Sequence, residues 1–146
     1  MQRVLLDTCV LYPNYLRDTL LRLAEAELYE PLWSADILDE LTRNVAERIG
    51  DQRAKGLVDV MAGAFPESLV SGYAALIPAM TNDPKDRHVL AAAIGGHAHA
   101  VVTLNLRDFP RRRLIRTGSR CCTPTSSCWT CSTLLPSRSA SSCVRR

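Results

Sequence analysis

The segment NDPKDRHVLAAAIGGHAHAVVTLN, residues 82–105, constrains the fold more than any other stretch of this chain. Asp83 is a candidate N-cap. Pro84 suits a first helical position because it has no N–H to lose there, and Asp86 complements the helix dipole in the first turn. The alanine-rich helix that follows stops at Gly95-Gly96, and HAVVTLN then reads as a buried strand.

The same grammar recurs upstream. RVLLDT, residues 3–8, is a short apolar run closed by a polar pair, the pattern of a buried strand whose carboxyl end reaches a functional edge. A helix is predicted over residues 13–27, with Leu16, Leu20, Leu23 and Ala24 on one face. EPLWS is the next strand. Ser34 then caps ADILDELTRNVAERIG, where Ile37, Leu38, Leu41, Val45 and Ile49 form an apolar stripe that ends at Gly50. Asp51 caps a further helix to about residue 65, ALIP is a third strand, and LRDFP, residues 106–110, is a turn or short helix. Strands that alternate with amphipathic helices predict an α/β fold, a parallel sheet with helices on both faces.

At 146 residues, 47% hydrophobic and 23% charged, the chain has the size and balance of one domain with one core. It contains no apolar run near the roughly eighteen residues a membrane helix needs and no basic-then-apolar leader, so a soluble, cytoplasmic protein without membrane contact is expected. The net charge of +3 conceals a split: residues 1–110 carry ten Lys/Arg and all fifteen Asp/Glu, a net −5, whereas residues 111–146 carry eight Arg and no acid, a net +8. Five of the six cysteines also lie in that second part.

Chemistry in an open parallel sheet sits outside the carboxyl ends of its strands. Asp7 ends the first strand, Asp86 opens a helix, and Asn105 and Asp108 follow the last clear strand. Carboxylates gathered there repel one another unless a cation lies among them, and an oxygen-rich site suits Mg²⁺ or Mn²⁺, ions that serve phosphodiester hydrolysis. Purely structural roles compete with this: Asp86 as a dipole-favoured acid, Asp83 as a cap, Cys9 as a small core residue, and His97 and His99 as loop residues. Helical periodicity does not prefer Glu40 to Asp39.

VLLDTCVL, SADILDELTRN and DPKDRHVLAAAIGGHAHAVVTLNLRDFP, in this order and spacing, resemble PIN-domain ribonucleases, specifically the VapC-like toxins of bacterial toxin–antitoxin pairs. The resemblance covers residues 2–110. It implies a three-layer α/β/α sandwich with sheet order 3-2-1-4-5, a Mg²⁺- or Mn²⁺-dependent endoribonuclease acting on RNA, a cognate antitoxin and a homodimer. By position it assigns Asp7, Glu40 and Asp86 to the family's acid quartet, with Asp108 as the fourth acid where other members use the position of Asn105. Thr103 would orient the acids and Asp83 would assist from the rim. Other classes fit less well. An aspartyl phosphatase would show a second Asp where this chain has Cys9, and an RNA-binding module would interleave basic and aromatic residues, whereas aromatics are 5% of the chain.

Residues 111–146 depart from the family. CWTC has zinc-ligand spacing and a second pair stands at Cys121-Cys122, so the alternative is a non-catalytic remnant or binding module with a zinc-binding tail. A frameshift near residues 111–114 accounts for more. Joining the third base of each codon to the first two of the next turns Cys and Trp into Leu, Val or Met, and RTGSRCCTPTSSCWTCST can then be read as PYGIEVLHPDEFLLDLLD. That is an apolar strand, a turn and an amphipathic helix, the ending such a domain requires. The expectation is a nuclease domain over 1–110 with its fifth edge strand lost, a disordered aberrant tail over 111–146, and weakened or absent activity.

Overall fold

The computed structural model describes residues 1–105 and the backbone of 120–122. Its elements run β1 (Arg3–Leu6), α1 (Thr8–Leu11), α2 (Asn14–Glu25), β2 (Glu30–Ser34), α3 (Ala35–Ile49), α4 (Asp51–Ala64), a 3₁₀ turn (Pro66–Ser68), β3 (Leu69–Val70), a second 3₁₀ segment (Ala74–Ala79), α5 (Arg87–Gly95), β4 (Ala100–Val102) and β5 (Arg120–Cys122). All four strand pairings are parallel, in the order β3-β2-β1-β4-β5, within a three-layer α/β/α arrangement. The family-implied order is therefore the observed one.

Parallel strands covered on both faces are apolar where they are buried, and the polar residues of β1 and β2, Arg3, Glu30 and Ser34, stand at the strand ends. Leu5, Leu6, Leu32, Trp33 and Val101 are fully buried in the sheet, and Ile37, Leu41, Val89 and Ala91–Ala93 close over it from α3 and α5. Trp33 meets Phe65 edge-on, with ring centroids 6.0 Å apart. Ser34 ends β2 and caps α3 as expected, its hydroxyl accepting from the Ile37 amide at 3.2 Å. The α3 stripe holds at Ile37, Leu41 and Val45, but Ile49 is exposed in the last turn.

Several expectations are corrected. A short helix, α1, precedes α2 and starts directly at the end of β1, with Asp7 as its N-cap. α4 is preceded by Gly50 at φ +88, a conformation open to glycine, and Asp51 lies inside the first turn rather than at the cap. ALIP belongs to the second 3₁₀ segment, which contains Pro78 and buries none of its residues; the third strand is Leu69–Val70, where Val70 is buried. α5 begins at Arg87, three residues later than its sequence suggests, because Asp83 closes a turn on the Lys85 amide at 3.0 Å instead of capping the helix.

The loss of the fifth strand is corrected too. Arg120–Cys122 runs parallel to β4, with Arg120 opposite Ala100 and Cys122 opposite Val102. A ladder is made of backbone groups, so an open edge accepts a strand of unexceptional composition. LRDFP, with Asp108, and the rest of the tail lie outside the described residues.

Candidate active site

β1 and β4 are in register, Leu6 beside Val102, so the residues that follow them, Asp7 and Thr103, emerge together at the carboxyl edge of the sheet. The Asp7 amide continues the ladder by donating to the Val102 carbonyl at 3.1 Å. Thr103 then donates its hydroxyl to Asp7 Oδ2 at 2.8 Å, while the Thr8 amide donates to Asp7 Oδ1 at 2.7 Å. Both carboxylate oxygens are thereby oriented.

Asp7 is buried, 6% exposed, and no cationic side chain pairs with it among the described residues. Neutral donors alone compensate a buried carboxylate poorly, which makes this the place where a cation would gain most.

The other acids join the same network through neutral groups. Thr8 Oγ1 donates to Glu40 Oε2 at 3.1 Å, bringing the second turn of α3 against the end of β1. This separates Glu40 from its neighbour, since Asp39 is exposed while Glu40 is half-buried. His88 Nε2 stands 3.9 Å from the same Glu40 oxygen. On the other flank the Asn105 amide donates to Thr103 Oγ1 at 3.0 Å, and Asn105 Nδ2 makes a long contact of 3.5 Å to Asp86 Oδ2. The structure thus gathers Asp7, Glu40, Asp86, Thr103 and Asn105 into one chain of contacts. Asp83 is engaged with its own turn, and Asp108 lies outside the described residues.

Sequence reasoning missed three participants. In the sequence Thr8 is only half of a polar pair, Cys9 reads as a small core residue, and nothing marks His88. Cys9 Sγ lies 3.3 Å from both Asp7 Oδ2 and Thr103 Oγ1, and accepts from the Leu104 amide at 3.1 Å. Burial, and after it the adjacent Asp7 charge, push this thiol up to about 11, so at neutral pH it is a protonated donor. The available signal was DTC itself: a polar-capable side chain two residues after a strand-end acid, in the first turn of a helix.

Oxygen donors of this kind fit a hard divalent cation. Among the described residues no three carboxylate, imidazole or thiol groups stand close enough to enclose a metal ion. Mg²⁺ does not require such a cage, since it is commonly held by one or two carboxylates with water in the remaining positions. Asp7, joined to Asp86 through Thr103 and Asn105, meets that requirement in donor chemistry. An open hollow of about 600 Å³ lined by Asp36, Asp39, Glu40, Thr42, Arg43 and His88 leads away from the Glu40 side.

Comparison with known proteins agrees with this architecture. The PIN domain family model matches residues 3–107. A protein of Mycobacterium tuberculosis described as "Putative ribonuclease VapC50" is 59% identical over 39 residues, which is 27% of this chain and 23% of that protein. The matched stretch is thus less than a quarter of that relative's length. The crystal structure of VapBC2 from Rickettsia felis bound to a DNA fragment from their promoter contains a chain that superposes with a TM-score of 0.54 at 16% identity, covering 84% of this chain and 98% of that one. At that identity the likeness is one of fold. With the family model spanning most of the chain and the sheet order as described, the chain belongs to the PIN domain family.

Proposed function

We propose that the chain is a metal-dependent endoribonuclease built to act as the toxin of a toxin–antitoxin pair. The observation that carries this reading is Asp7: a buried carboxylate at the carboxyl edge of the sheet, held by neutral donors only among the described residues and linked through Thr8 and Thr103 toward Glu40 and Asp86. The short segment shared with a protein described as a ribonuclease supports it.

In this reading Asp7, Glu40, Asp86 and Asp108 would hold Mg²⁺ or Mn²⁺. A bound ion of this type supplies Lewis acidity toward phosphate oxygen and lowers the pKa of water. The chain's own residues do the positioning. Thr103 and the Thr8 amide hold the two Asp7 oxygens, Asn105 steadies Asp86, and Thr8 turns Glu40 toward the site. Asp83 assists from the rim. No side chain forms a covalent intermediate. The partners proposed are RNA, a cognate antitoxin that covers the acidic pocket, and a second copy of the chain. The location proposed is the cytoplasm; among the described residues no helix is long and apolar enough to cross a membrane.

We propose further that residues 1–110 are the nuclease domain and that 111–146 are read out of frame, which weakens or abolishes activity. The family match ends at residue 107, just before the composition changes. Arg120–Cys122 coincides with EVL of the shifted frame, but its ladder to β4 is made of backbone groups and forms with the present residues. An RNA cleavage assay of the frame-corrected chain with Mg²⁺ or Mn²⁺, repeated with EDTA, tests the proposal. Cleavage that ignores EDTA contradicts it.

A further inference from the structure

We propose that Cys9 is a positioning residue, one that fixes the separation between Asp7 and the strand-end segment carrying Asn105. Three contacts converge on its sulfur. Sγ is 3.3 Å from Asp7 Oδ2, 3.3 Å from Thr103 Oγ1, and 3.1 Å from the Leu104 amide nitrogen, which donates to it. These groups come from two separate places in the chain, the start of α1 and the exit of β4, 94 to 95 residues apart.

The arrangement is specific to a side chain that both donates and accepts. Thr103 has one hydroxyl hydrogen, spent on Asp7, and its oxygen already accepts from the Asn105 amide. The Leu104 amide lies past the end of β4, where the ladder to β1 no longer supplies a carbonyl, and Cys9 sulfur is the acceptor it finds. Without the thiol, the turn through Leu104 loses its tie to α1. Asn105, the next residue and the one that reaches Asp86, donates its amide to the Thr103 hydroxyl from the far side of that turn. The sulfur thus pins together the Asp7 and Asp86 sides of the site. A core residue of the same size would fill the space and make none of these contacts.

The consequence for metal binding rests on the function proposed above, so the experiment separates the two. Full-length chain, Cys9→Ser and Cys9→Ala are compared by amide hydrogen exchange at Leu104 without metal, and by Mn²⁺ titration followed by electron paramagnetic resonance. Ser keeps a donor and an acceptor; Ala keeps neither. The expected result is faster exchange at Leu104 and about tenfold weaker Mn²⁺ binding in Cys9→Ala, with Cys9→Ser close to the parent in both. Equal exchange and equal Mn²⁺ affinity in parent and Cys9→Ala overturn the inference, as does a Cys9→Ser variant that behaves like Cys9→Ala. A parent that binds no Mn²⁺ contradicts the metal reading of the site, and Leu104 exchange in the two variants then decides the role of Cys9 by itself.

Discussion

Thr103 donates its hydroxyl to Asp7 across the β1–β4 seam at 2.8 Å, joining residues 96 positions apart. Because both side chains are buried and each sits one residue past its strand, the contact is set by sheet register rather than by any loop. Thr103→Val removes the hydrogen bond while nearly conserving volume. It should leave the fold intact and weaken divalent-ion binding by roughly 10- to 100-fold, the usual cost of losing a partner that orients a ligand. Mn²⁺ titration of the folded variant checks this; unchanged affinity means that Thr103 does not orient Asp7.

Gly96 follows α5, with Val70 Cγ2, the Ala92 carbonyl oxygen and Leu32 Cδ1 standing 2.8, 3.1 and 3.2 Å from where a Cβ would lie. The stiff valine and the backbone oxygen have little room to withdraw. Gly96→Ala should cost about 1–3 kcal/mol, and Gly95→Ala less, since its nearest neighbour would be Tyr73 Cβ at 3.2 Å. Urea denaturation midpoints of the two variants would show the order.

The Tyr29 hydroxyl donates to the Leu20 carbonyl at 2.7 Å, and burial pushes its pKa well above the usual 10.0. Tyr29→Phe should lose about 1 kcal/mol at neutral pH. The pH dependence follows from the raised folded value. Below pH 10 the phenol is protonated in both states and its contribution is complete; above pH 10 the unfolded chain releases the proton while the folded one retains it, so stability falls as pH rises. Melting curves between pH 8 and 11 should show a steeper alkaline decline for the parent than for Tyr29→Phe.

The strands β1 and β2 and the Ser34 cap are legible in the sequence because each depends on a local pattern: an apolar run, or a hydroxyl ahead of a periodic stripe. The sheet order came from the family resemblance instead. The sequence points to ALIP rather than to β3 because a two-residue strand has no period to detect and ALIP is the more apolar run. α5 was started too early because Asp83-Pro84 serves equally as cap or turn, and only the packing of the segment decides. In the site, Asp7 and Asp86 were visible as acids at element ends. Periodicity does not separate Glu40 from Asp39; the family resemblance does, and in the structure the Thr8 contact from another element distinguishes them, while Cys9 is marked by contacts from two. Long-range contacts of this kind leave no trace in local periodicity.

Correcting the frame by one or two bases near codons 110–114 should give an apolar strand and an amphipathic helix in place of residues 116–133. Burying even three or four Leu, Val or Phe side chains contributes on the order of 5–10 kcal/mol, comparable to a domain's net stability of about 5–15 kcal/mol. The corrected protein should therefore melt well above the present chain. If no such change yields that pattern in the gene, the frameshift reading fails, and zinc content of the purified chain becomes the informative measurement. Equal melting of the two proteins would show the tail to be dispensable.

The proposed role of Asp7 is to hold a catalytic divalent ion. Asp7→Asn removes the charge with little change in volume, so in the frame-corrected chain it should fold, its single amide oxygen accepting from either the Thr103 hydroxyl or the Thr8 amide. RNA cleavage rates in Mg²⁺ measure the claim directly. The account predicts that the parent cleaves, that EDTA stops it, and that Asp7→Asn loses at least about a hundredfold in rate, roughly the 2.7 kcal/mol that a factor of one hundred represents. A folded Asp7→Asn protein that cleaves RNA as fast as its parent would contradict it.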